Sequence, residues 1–488
     1  MKKIIYIFVF MLVTIPLIAD ININNSIVRI YTVRSNYSYV NPWQRTGQSS
    51  GTGSGSIIDG NRILTNAHVV RNATFIQVRK AGEARRYTAR VASISHISDL
   101  AVLEVEELSF FENSTPLQIG ELPHVRDRIA LYGFPTGGSQ MSITEGVVSR
   151  IQHSHYVHSS AYLLICQIDA AQNPGNSGGP IIYNNKIVGV ALQTITGSQN
   201  LSFVVPAPVI NHFLTDIGKN NEKYRGIPEL GVHFQRMENP DLREKSQMKE
   251  NQSGVLIVGV PHGSPVTNKI YVGDVLLSID GIEIANDGSI EFRPGERTSF
   301  VYVVQRKFID DVITLEVLRN GEIKELEVKL TVPMHSTRLV PHQQYDVPPT
   351  FFIAGGLVFA PLTRNFLASW GGQWFTQAPS RLIEFYLSGV RTDDRKEVVL
   401  ISTVLADEIN LGYHDIRNFV VARINGKKIS TMKDVVNAIE NNEGTFHIIE
   451  EEFGNRIVLR RDLVDQYSDR ILQIYRINSD RSENLRLN

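Results

Sequence analysis

Short apolar stretches, separated by glycine, serine, asparagine and aspartate, run from Ser26 to about Pro206. Each stretch is too short for an ordinary helix and is bounded by turn-forming residues, which favours an all-β barrel or sandwich. A helical spacing of apolar residues follows at Val209–Ile217. The predicted strands are Ser26–Val33, Gly55–Ile58, Leu100–Val105, Arg128–Tyr132, Leu163–Ile168, Ile181–Ile182 and Ile187–Leu192.

Two further units alternate strands and turns, one over residues 226–330 and one from about Pro349 to the C-terminus. Between them, residues 333–349 contain four prolines among polar residues and are interpreted as a linker. In the last unit, Thr431–Asn442 places apolar residues on one helical face.

The two downstream units contain similar hairpin signals, Asp280-Gly281 and Asn425-Gly426, each between apolar stretches. Asp-Gly and Asn-Gly are the strongest short-range hairpin signals. The similarity indicates either a repeated domain or two unrelated hairpins, since the dipeptide is common.

Length and composition narrow the class of protein. At roughly 150 residues per domain, 488 residues indicate about three domains. Lys plus Arg total 49 and Asp plus Glu total 50, a balance that argues against nucleic acid as the main partner. The one cysteine, Cys166, excludes a disulfide within the chain and is interpreted as a small core residue.

The N-terminus has the pattern of a secretory signal peptide. Lys2 and Lys3 precede an apolar run from Ile4 to Ile18, and the small residue Ala19 follows. We therefore expect residues 1–19 to be a cleaved signal; an uncleaved membrane anchor is the alternative. Export without disulfides fits a bacterial periplasm.

The strongest local chemical signal is a serine between glycines, Ser177, in the segment Asn173–Pro180. Glycines allow unusual backbone angles and close approach of another group, as a nucleophilic serine requires. Backbone N–H groups in such a loop can stabilise a developing oxyanion. An ordinary glycine-rich loop remains the alternative for this segment alone.

Two upstream residues complete a catalytic pattern. His68 follows the apolar segment at Leu64, and Asp99 precedes the apolar segment Leu100–Val105. Alone, His68 would be a core histidine and Asp99 a strand cap. The order His68, Asp99, Ser177 is that of the chymotrypsin-like proteases, in which these residue types are base, orienting carboxylate and nucleophile.

These segments resemble the HtrA/Deg trypsin-like serine proteases, and most of all the two-PDZ branch known from plants. The segments that carry the resemblance are Thr65–Val70, Asp99–Leu103, Gln167–Ala171 with Asn173–Pro180, Ser50–Gly55, Phe203–Pro206, Ile227–Val232, Met237–Arg243 and Ile284–Gly288. The resemblance implies a mainly β fold: a chymotrypsin-like double β-barrel protease domain over residues 20–220, followed by two PDZ-like α+β domains over 221–332 and 350–488.

The resemblance also implies roles for individual residues. The catalytic residues are His68, Asp99 and Ser177, and the oxyanion hole is Gly175, Asn176 and Ser177. The specificity pocket is formed by Ala171, Leu192, Gln193 and Thr194. Because Ala171 is small and uncharged, we expect a modest aliphatic residue, not Lys or Arg, before the scissile bond.

PDZ domains bind an extended peptide at a sheet edge, with a glycine-containing loop at the peptide carboxylate. The expected binding residues are Leu230, Gly231 and Val232 in the first domain and Gly356, Leu357 and Val358 in the second. Both loops depart from the usual Gly-Leu-Gly-Phe form. The second domain is alternatively expected to serve assembly only.

Three histidines, His153, His155 and His158, fall in Gln152–Ala161, which is interpreted as a polar loop. Their spacing permits a zinc site, which is the less favoured interpretation. The resemblance implies that this loop senses PDZ or ligand contacts, and a pH-sensitive loop is an alternative. No metal and no cofactor are expected.

The sequence therefore predicts an exported, ATP-independent serine endopeptidase for unfolded or damaged envelope proteins. The expected partners are such polypeptides and peptide C-termini or internal segments at the first PDZ domain. The resemblance further implies that copies of the chain assemble into a trimer or hexamer. A chaperone or PDZ scaffold with little proteolysis is the alternative. A digestive trypsin-like enzyme fits poorly, since it would not need two extra domains.

Overall fold

The computed structural model describes residues 23–136, 138, 140–194, 202–452 and 454–486. The predicted signal peptide, residues 1–19, lies outside the described residues. Within the described part of the chain, no helix combines the length and the apolar character needed to cross a bilayer.

The first six strands close into a barrel in the order β1-β2-β3-β6-β5-β4. A short helix, α1 (Ala67–Val70), follows the third strand. The barrel core contains Ile30, Ile63 and Phe110, which are fully buried. The strands are β1 Ile27–Arg34, β2 Ser49–Ile58, β3 Arg62–Thr65, β4 Ala73–Lys80, β5 Tyr87–Ser95 and β6 Leu100–Val105.

The next six strands close into a second barrel in the order β10-β11-β12-β9-β8-β7. Helix α2 (Ala207–Lys219) follows it and buries Ile210, Phe213 and Ile217 against the barrel. The strands are β7 Arg128–Gly133, β8 Ser142–His155, β9 Tyr162–Ile168, β10 Pro180–Tyr183, β11 Lys186–Thr194 and β12 Ser202–Pro206.

The third unit is built on a sheet in the order β13-β14-β15-β19-β20, with β16 paired to β15 and a separate β17-β18 hairpin. Its helices are α3 (Pro240–Lys245) and α4 (Val301–Gln305). The strands are β13 His233–Arg236, β14 Val255–Gly259, β15 Val275–Ile279, β16 Ile282–Glu283, β17 Ser289–Arg293, β18 Glu296–Ser299, β19 Val312–Arg319 and β20 Glu322–Lys329.

The fourth unit has a sheet in the order β21-β22-β23-β24-β26-β27, with β25 paired to β24. Its strands are β21 Phe352–Ala354, β22 Leu357–Pro361, β23 Val399–Val404, β24 Phe419–Ile424, β25 Lys427–Lys428, β26 Phe446–Glu451 and β27 Arg456–Arg460. Its helices are α5 Arg364–Leu367, α6 Trp374–Gln377, α7 Ser380–Ser388, α8 Met432–Glu440 and α9 Arg461–Ile474.

The segment predicted to be a linker packs closely against other parts of the chain. Leu339 and Val340 are buried, in contact with residues of the fourth unit. Further along, the Asp346 N–H donates to Asn72 Oδ1 at 2.7 Å, and Tyr345 stacks on His158. Residues 333–349 therefore connect the fourth unit to the first and second barrels through side-chain contacts.

The predicted β-rich character and the two hairpins are confirmed. Asp280-Gly281 and Asn425-Gly426 form two-residue turns in which all four residues have positive φ angles, as the hairpin signal requires. The predicted helix near residue 431 is α8, which begins after a capping box at Thr431. The loop predicted at Gln152–Ala161 is wrong in part, because β8 continues to His155 and pairs with β9.

Candidate active site

His68 and Asp99 are both supplied by the first barrel. His68 lies in α1, directly after β3, and Asp99 directly precedes β6. Because β3 and β6 are paired, their ends bring the two residues together. Helix α1 can pack close to β2 because β2 has a glycine there: a Cβ on Gly53 would lie 2.6 Å from a Val69 methyl group.

Asp99 is fully buried and has a positive φ of 52°. Its Oδ1 accepts the His68 backbone N–H at 2.7 Å, and its Oδ2 lies 2.6 Å from His68 Nδ1. The Asn66 side chain donates to its backbone carbonyl at 2.8 Å. Burial alone would raise the pKa of Asp99, but attraction to His68 and the hydrogen bonds from His68 hold it below its ordinary value. The carboxylate is therefore ionised and fixed.

The hydrogen bond to Asp99 determines the tautomer of His68. A carboxylate can only accept, so His68 Nδ1 carries the proton and donates it. The other ring nitrogen, Nε2, is then unprotonated in the neutral ring. This is the nitrogen that a general base uses.

Ser177 lies in the loop between β9 and β10 of the second barrel. Its backbone carbonyl accepts the Ser54 N–H at 2.8 Å, which holds the loop against β2 of the first barrel. The Ser177 hydroxyl donates to the Leu192 carbonyl at 3.3 Å. Across the described residues no hydrogen bond joins Ser177 to His68. The structure thus brings His68 and Asp99 into direct contact and places Ser177 in the adjoining loop.

The backbone before Ser177 is held by close contacts. Gly175 has a φ of 100°, and a Cβ there would lie 2.4 Å from the Phe134 carbonyl oxygen. The Pro174 carbonyl accepts the Thr136 N–H at 2.6 Å. Since N–H and C=O point in opposite directions across a trans peptide, the Gly175 N–H is directed away from Thr136.

Asn176 differs from its two neighbours in the predicted oxyanion hole. Its N–H donates to the Asn173 carbonyl at 3.0 Å and is therefore occupied within the loop. The Asn176 side chain is buried beside Gly133. Gly175 and Ser177 remain as the backbone donors that this geometry supports.

Ser54 supports the loop that precedes Ser177, a role that the sequence did not predict. Its buried hydroxyl donates to the Gly175 carbonyl at 2.8 Å and accepts the Phe134 N–H at 2.8 Å. Its own carbonyl accepts the Thr65 hydroxyl at 2.7 Å. Ser54 therefore links β2 of the first barrel to the glycine turn of the second. The Ser50–Gly55 motif was the available signal.

The predicted specificity pocket is only partly described. Ala171 is exposed, and its carbonyl accepts the Thr144 hydroxyl at 3.1 Å. The Leu192 side chain is buried, while its carbonyl faces Ser177. The side chains of Gln193 and Thr194 lie outside the described residues. Nearby, burial raises the pKa of Cys166 to about 12, so its thiol stays protonated.

The side chains of the three clustered histidines lie in three different environments. His153 lies between Thr298 Oγ1 at 2.7 Å and Gln305 Oε1 at 2.9 Å, both in the third unit. His155 lines a cavity at that unit. His158 lies behind Asp99, with its Nε2 3.9 Å from Asp99 Oδ1. No metal-binding group of three His, Cys, Asp or Glu residues occurs in the described ranges.

A cavity of about 530 Å³ lies along β13 of the third unit. The predicted residues Leu230, Gly231 and Val232 line one end of it. Strand β13 is at the edge of its sheet and its residues are exposed, so its backbone is accessible to an added strand. The opposite wall includes Val301 and Val304 of α4.

The corresponding segment of the fourth unit is arranged differently. Gly355 and Gly356 form a two-residue turn that pairs β21 with β22. Leu357 and Val358 are buried in the core. Since β22 is paired on both sides, with β21 and β23, the structure does not bring Gly356, Leu357 and Val358 to an open strand edge.

Comparison with protein families agrees with this arrangement. Residues 53–190 match a trypsin-like peptidase domain, and residues 228–330 and 340–484 each match a PDZ domain. The chain is thus a trypsin-like serine endopeptidase with two PDZ domains. We refer to the third and fourth units below as the first and second PDZ domains.

Relatives that match this chain over most of their length define the family. The chain is 37% identical to the mitochondrial protease Do-like 4 of Arabidopsis thaliana, over 93% of this chain and 84% of that protein. It is 36% identical to the chloroplastic protease Do-like 2 of the same plant, over 96% and 76% respectively. The solved HtrA-type protease AlgW with tripeptide aligns with a TM-score of 0.50 and 26% identity, covering 63% of this chain and 94% of that one. The chain belongs to the HtrA/Deg family of Do-like serine proteases.

The contacts of Ser54 generate a testable prediction. In Ser54→Ala, the Gly175 carbonyl and the buried Phe134 N–H lose their partner, which costs about 1–3 kcal/mol. We expect kcat/KM for a peptide substrate to fall about 10-fold or more, because the loop before Ser177 loosens. Urea unfolding and initial cleavage rates measure both effects.

Ser56→Ala is the matched control, since Ser56 is also buried in β2 but its hydroxyl has no hydrogen-bond partner among the described residues. We expect near wild-type activity and stability for this variant. Equal losses in both variants would contradict the role of Ser54.

Proposed function

We propose that the chain is an exported, ATP-independent serine endopeptidase that cleaves unfolded or damaged envelope proteins through His68, Asp99 and Ser177. The observation that carries the proposal is the hydrogen bond between His68 and the buried Asp99, beside the loop that holds Ser177. Membership of a family of serine proteases supports the assignment of these residue types.

In the proposed reaction, His68 Nε2 takes the proton of the Ser177 hydroxyl as its oxygen attacks the scissile carbonyl. The N–H groups of Gly175 and Ser177 stabilise the tetrahedral oxyanion. Protonated His68 then donates its proton to the leaving amine. Water hydrolyses the acyl-enzyme by the same steps, and Asp99 stabilises the charged imidazole throughout.

The resting position of Ser177 adds a regulatory requirement to this proposal. Its hydroxyl bonds the Leu192 carbonyl, so it must turn toward His68 before attack. This same observation favours a second role, in which the chain holds unfolded polypeptides without cleaving them until the site is rearranged.

Peptide capture is assigned to the first PDZ domain. Its exposed β13 edge, the end formed by Leu230–Val232 and the apolar α4 wall enclose a groove of the right kind for an extended peptide. The related AlgW was solved with tripeptide, which supports this use of the fold. Peptide C-termini or internal segments are the proposed ligands.

The second PDZ domain is proposed to serve assembly, because its β22 strand is already paired on both sides. We propose a trimer or hexamer, exported by residues 1–19 to the periplasm or held there by an uncleaved anchor. We expect the purified chain to scatter light as a trimer or larger and the cell fractions to place it in the envelope. A monomer, or a purely cytosolic distribution, would contradict these proposals.

Ser177→Ala tests the nucleophile. We expect casein cleavage to fall about 10³-fold or more and labelling by a fluorophosphonate to disappear, because the attacking oxygen is absent. Cys166→Ala is the control, since a buried protonated thiol has no part in the reaction, and its labelling should stay within about twofold of wild type. Labelling of both variants would overturn the assignment of Ser177. Casein cleavage by neither variant nor wild type would favour the holding role.

The small Ala171 leads to a prediction on specificity. We expect the sites cleaved in casein to have mostly Val, Ala or another modest aliphatic residue before the scissile bond. The reason is that Ala171, at the expected floor of the pocket, carries no charge to pair with Lys or Arg. Mass spectrometry of the digestion products measures this preference. A set of sites dominated by Lys or Arg at that position would contradict it.

A further inference from the structure

The carboxylate of Asp99 has a second histidine near it besides His68. His158 Nε2 lies 3.9 Å from Asp99 Oδ1, and the His158 side chain is only 2% exposed. The rings of His68 and His158 are 6.1 Å apart, centre to centre. Asp99 is therefore close to two imidazoles, and the proposed reaction uses only that of His68.

The ring of His158 is held from two directions. Its Nε2 lies 3.0 Å from Nδ1 of His96. Its face stacks on Tyr345 at 4.2 Å and an interplanar angle of 12°, and the Tyr345 hydroxyl donates to the His158 backbone carbonyl at 3.1 Å. A ring held in this way has little freedom to leave Asp99.

His96 is in turn oriented by Asp346. His96 Nε2 lies 2.8 Å from Asp346 Oδ2, so this nitrogen carries a proton. In the neutral ring, His96 Nδ1 is then an acceptor, and His158 Nε2 must be the donor between them. The remaining nitrogen of His158, Nδ1, is buried without a partner in the described part of the chain, as expected for the one that carries no proton.

We propose that His158 is a positioning residue for Asp99. The contacts from Asp346 through His96 fix its tautomer, so that its protonated nitrogen, Nε2, lies 3.9 Å from Oδ1, where a lone pair would repel the ionised carboxylate. His96, Tyr345 and Asp346 hold His158 in place. This inference rests on the proposed catalytic role of Asp99. Burial lowers the pKa of His158 to about 3, so the ring is neutral near pH 7 and acts through its N–H dipole.

Two substitutions of His158 distinguish the contribution of its N–H group from that of its aromatic ring. His158→Phe keeps a flat ring on Tyr345 but has no donor, whereas His158→Gln loses the ring but places an amide N–H near the same position. We expect His158→Phe to lower kcat about 10-fold with KM within about twofold, and His158→Gln to stay within about threefold of wild type. A role in packing alone predicts the opposite order.

The measurements use the full chain. Cleavage of a fluorogenic peptide taken from a casein site gives kcat and KM, and fluorophosphonate gives the rate of labelling at Ser177. Thermal unfolding by circular dichroism shows whether each variant is folded at the assay temperature. Wild-type kcat in folded His158→Phe, or a larger kcat loss in folded His158→Gln than in His158→Phe, would overturn the proposal.

Asp99→Asn and Asp346→Asn complete the design. If Asp99→Asn keeps wild-type kcat, the proposed triad itself fails; if it is inactive while His158→Phe is fully active, only the positioning role fails. Asp346→Asn should lower kcat in the same direction but less. In the double variant, Asp346→Asn should lower kcat no further than His158→Phe alone, because Asp346 acts through His158. Additive losses of kcat would contradict an effect of Asp346 through His158.

Discussion

The proposed active site of this protease depends on one buried negative charge, that of Asp99. Burying an ionised carboxylate away from water raises the free energy of the folded state unless hydrogen bonds and a partner of opposite charge compensate for the lost hydration. Asp99 is fully buried, and the bonds that stabilise it also fix the His68 tautomer and backbone. The β3–β6 pairing that brings both residues together is therefore a condition for the proposed chemistry as well as part of a barrel.

The segment from His153 to His158 connects the first PDZ domain to the buried Asp99. At one end, His153 bonds Gln305 in the helix that walls the first PDZ groove. At the other, His158 lies against Asp99. Six residues thus extend from the wall of the proposed peptide groove to the carboxylate of Asp99. A displacement of α4 by a bound peptide would act on a short, hydrogen-bonded segment.

The sequence predicted the features that depend on residues close together in the chain or on the order of motifs. Short apolar stretches predicted the barrel strands, Asn-Gly and Asp-Gly predicted hairpins, and the order of His68, Asp99 and Ser177 predicted the reaction class. It did not predict contacts between distant segments, such as Tyr345 on His158 or Ser54 on Gly175, because neither residue type signals its partner. It also did not predict that the side chains of the clustered histidines separate, which follows because β8 continues through His155 and pairs with β9.

The position of Tyr345 and Asp346 in the chain has a consequence for biosynthesis. Both barrels leave the ribosome well before these two residues, and domains generally fold in order of synthesis. On our proposal, the support behind Asp99 is completed only after the first PDZ domain has been made. A partly synthesised chain would then carry a peptidase of reduced activity. The order of the domains would itself delay full proteolytic activity.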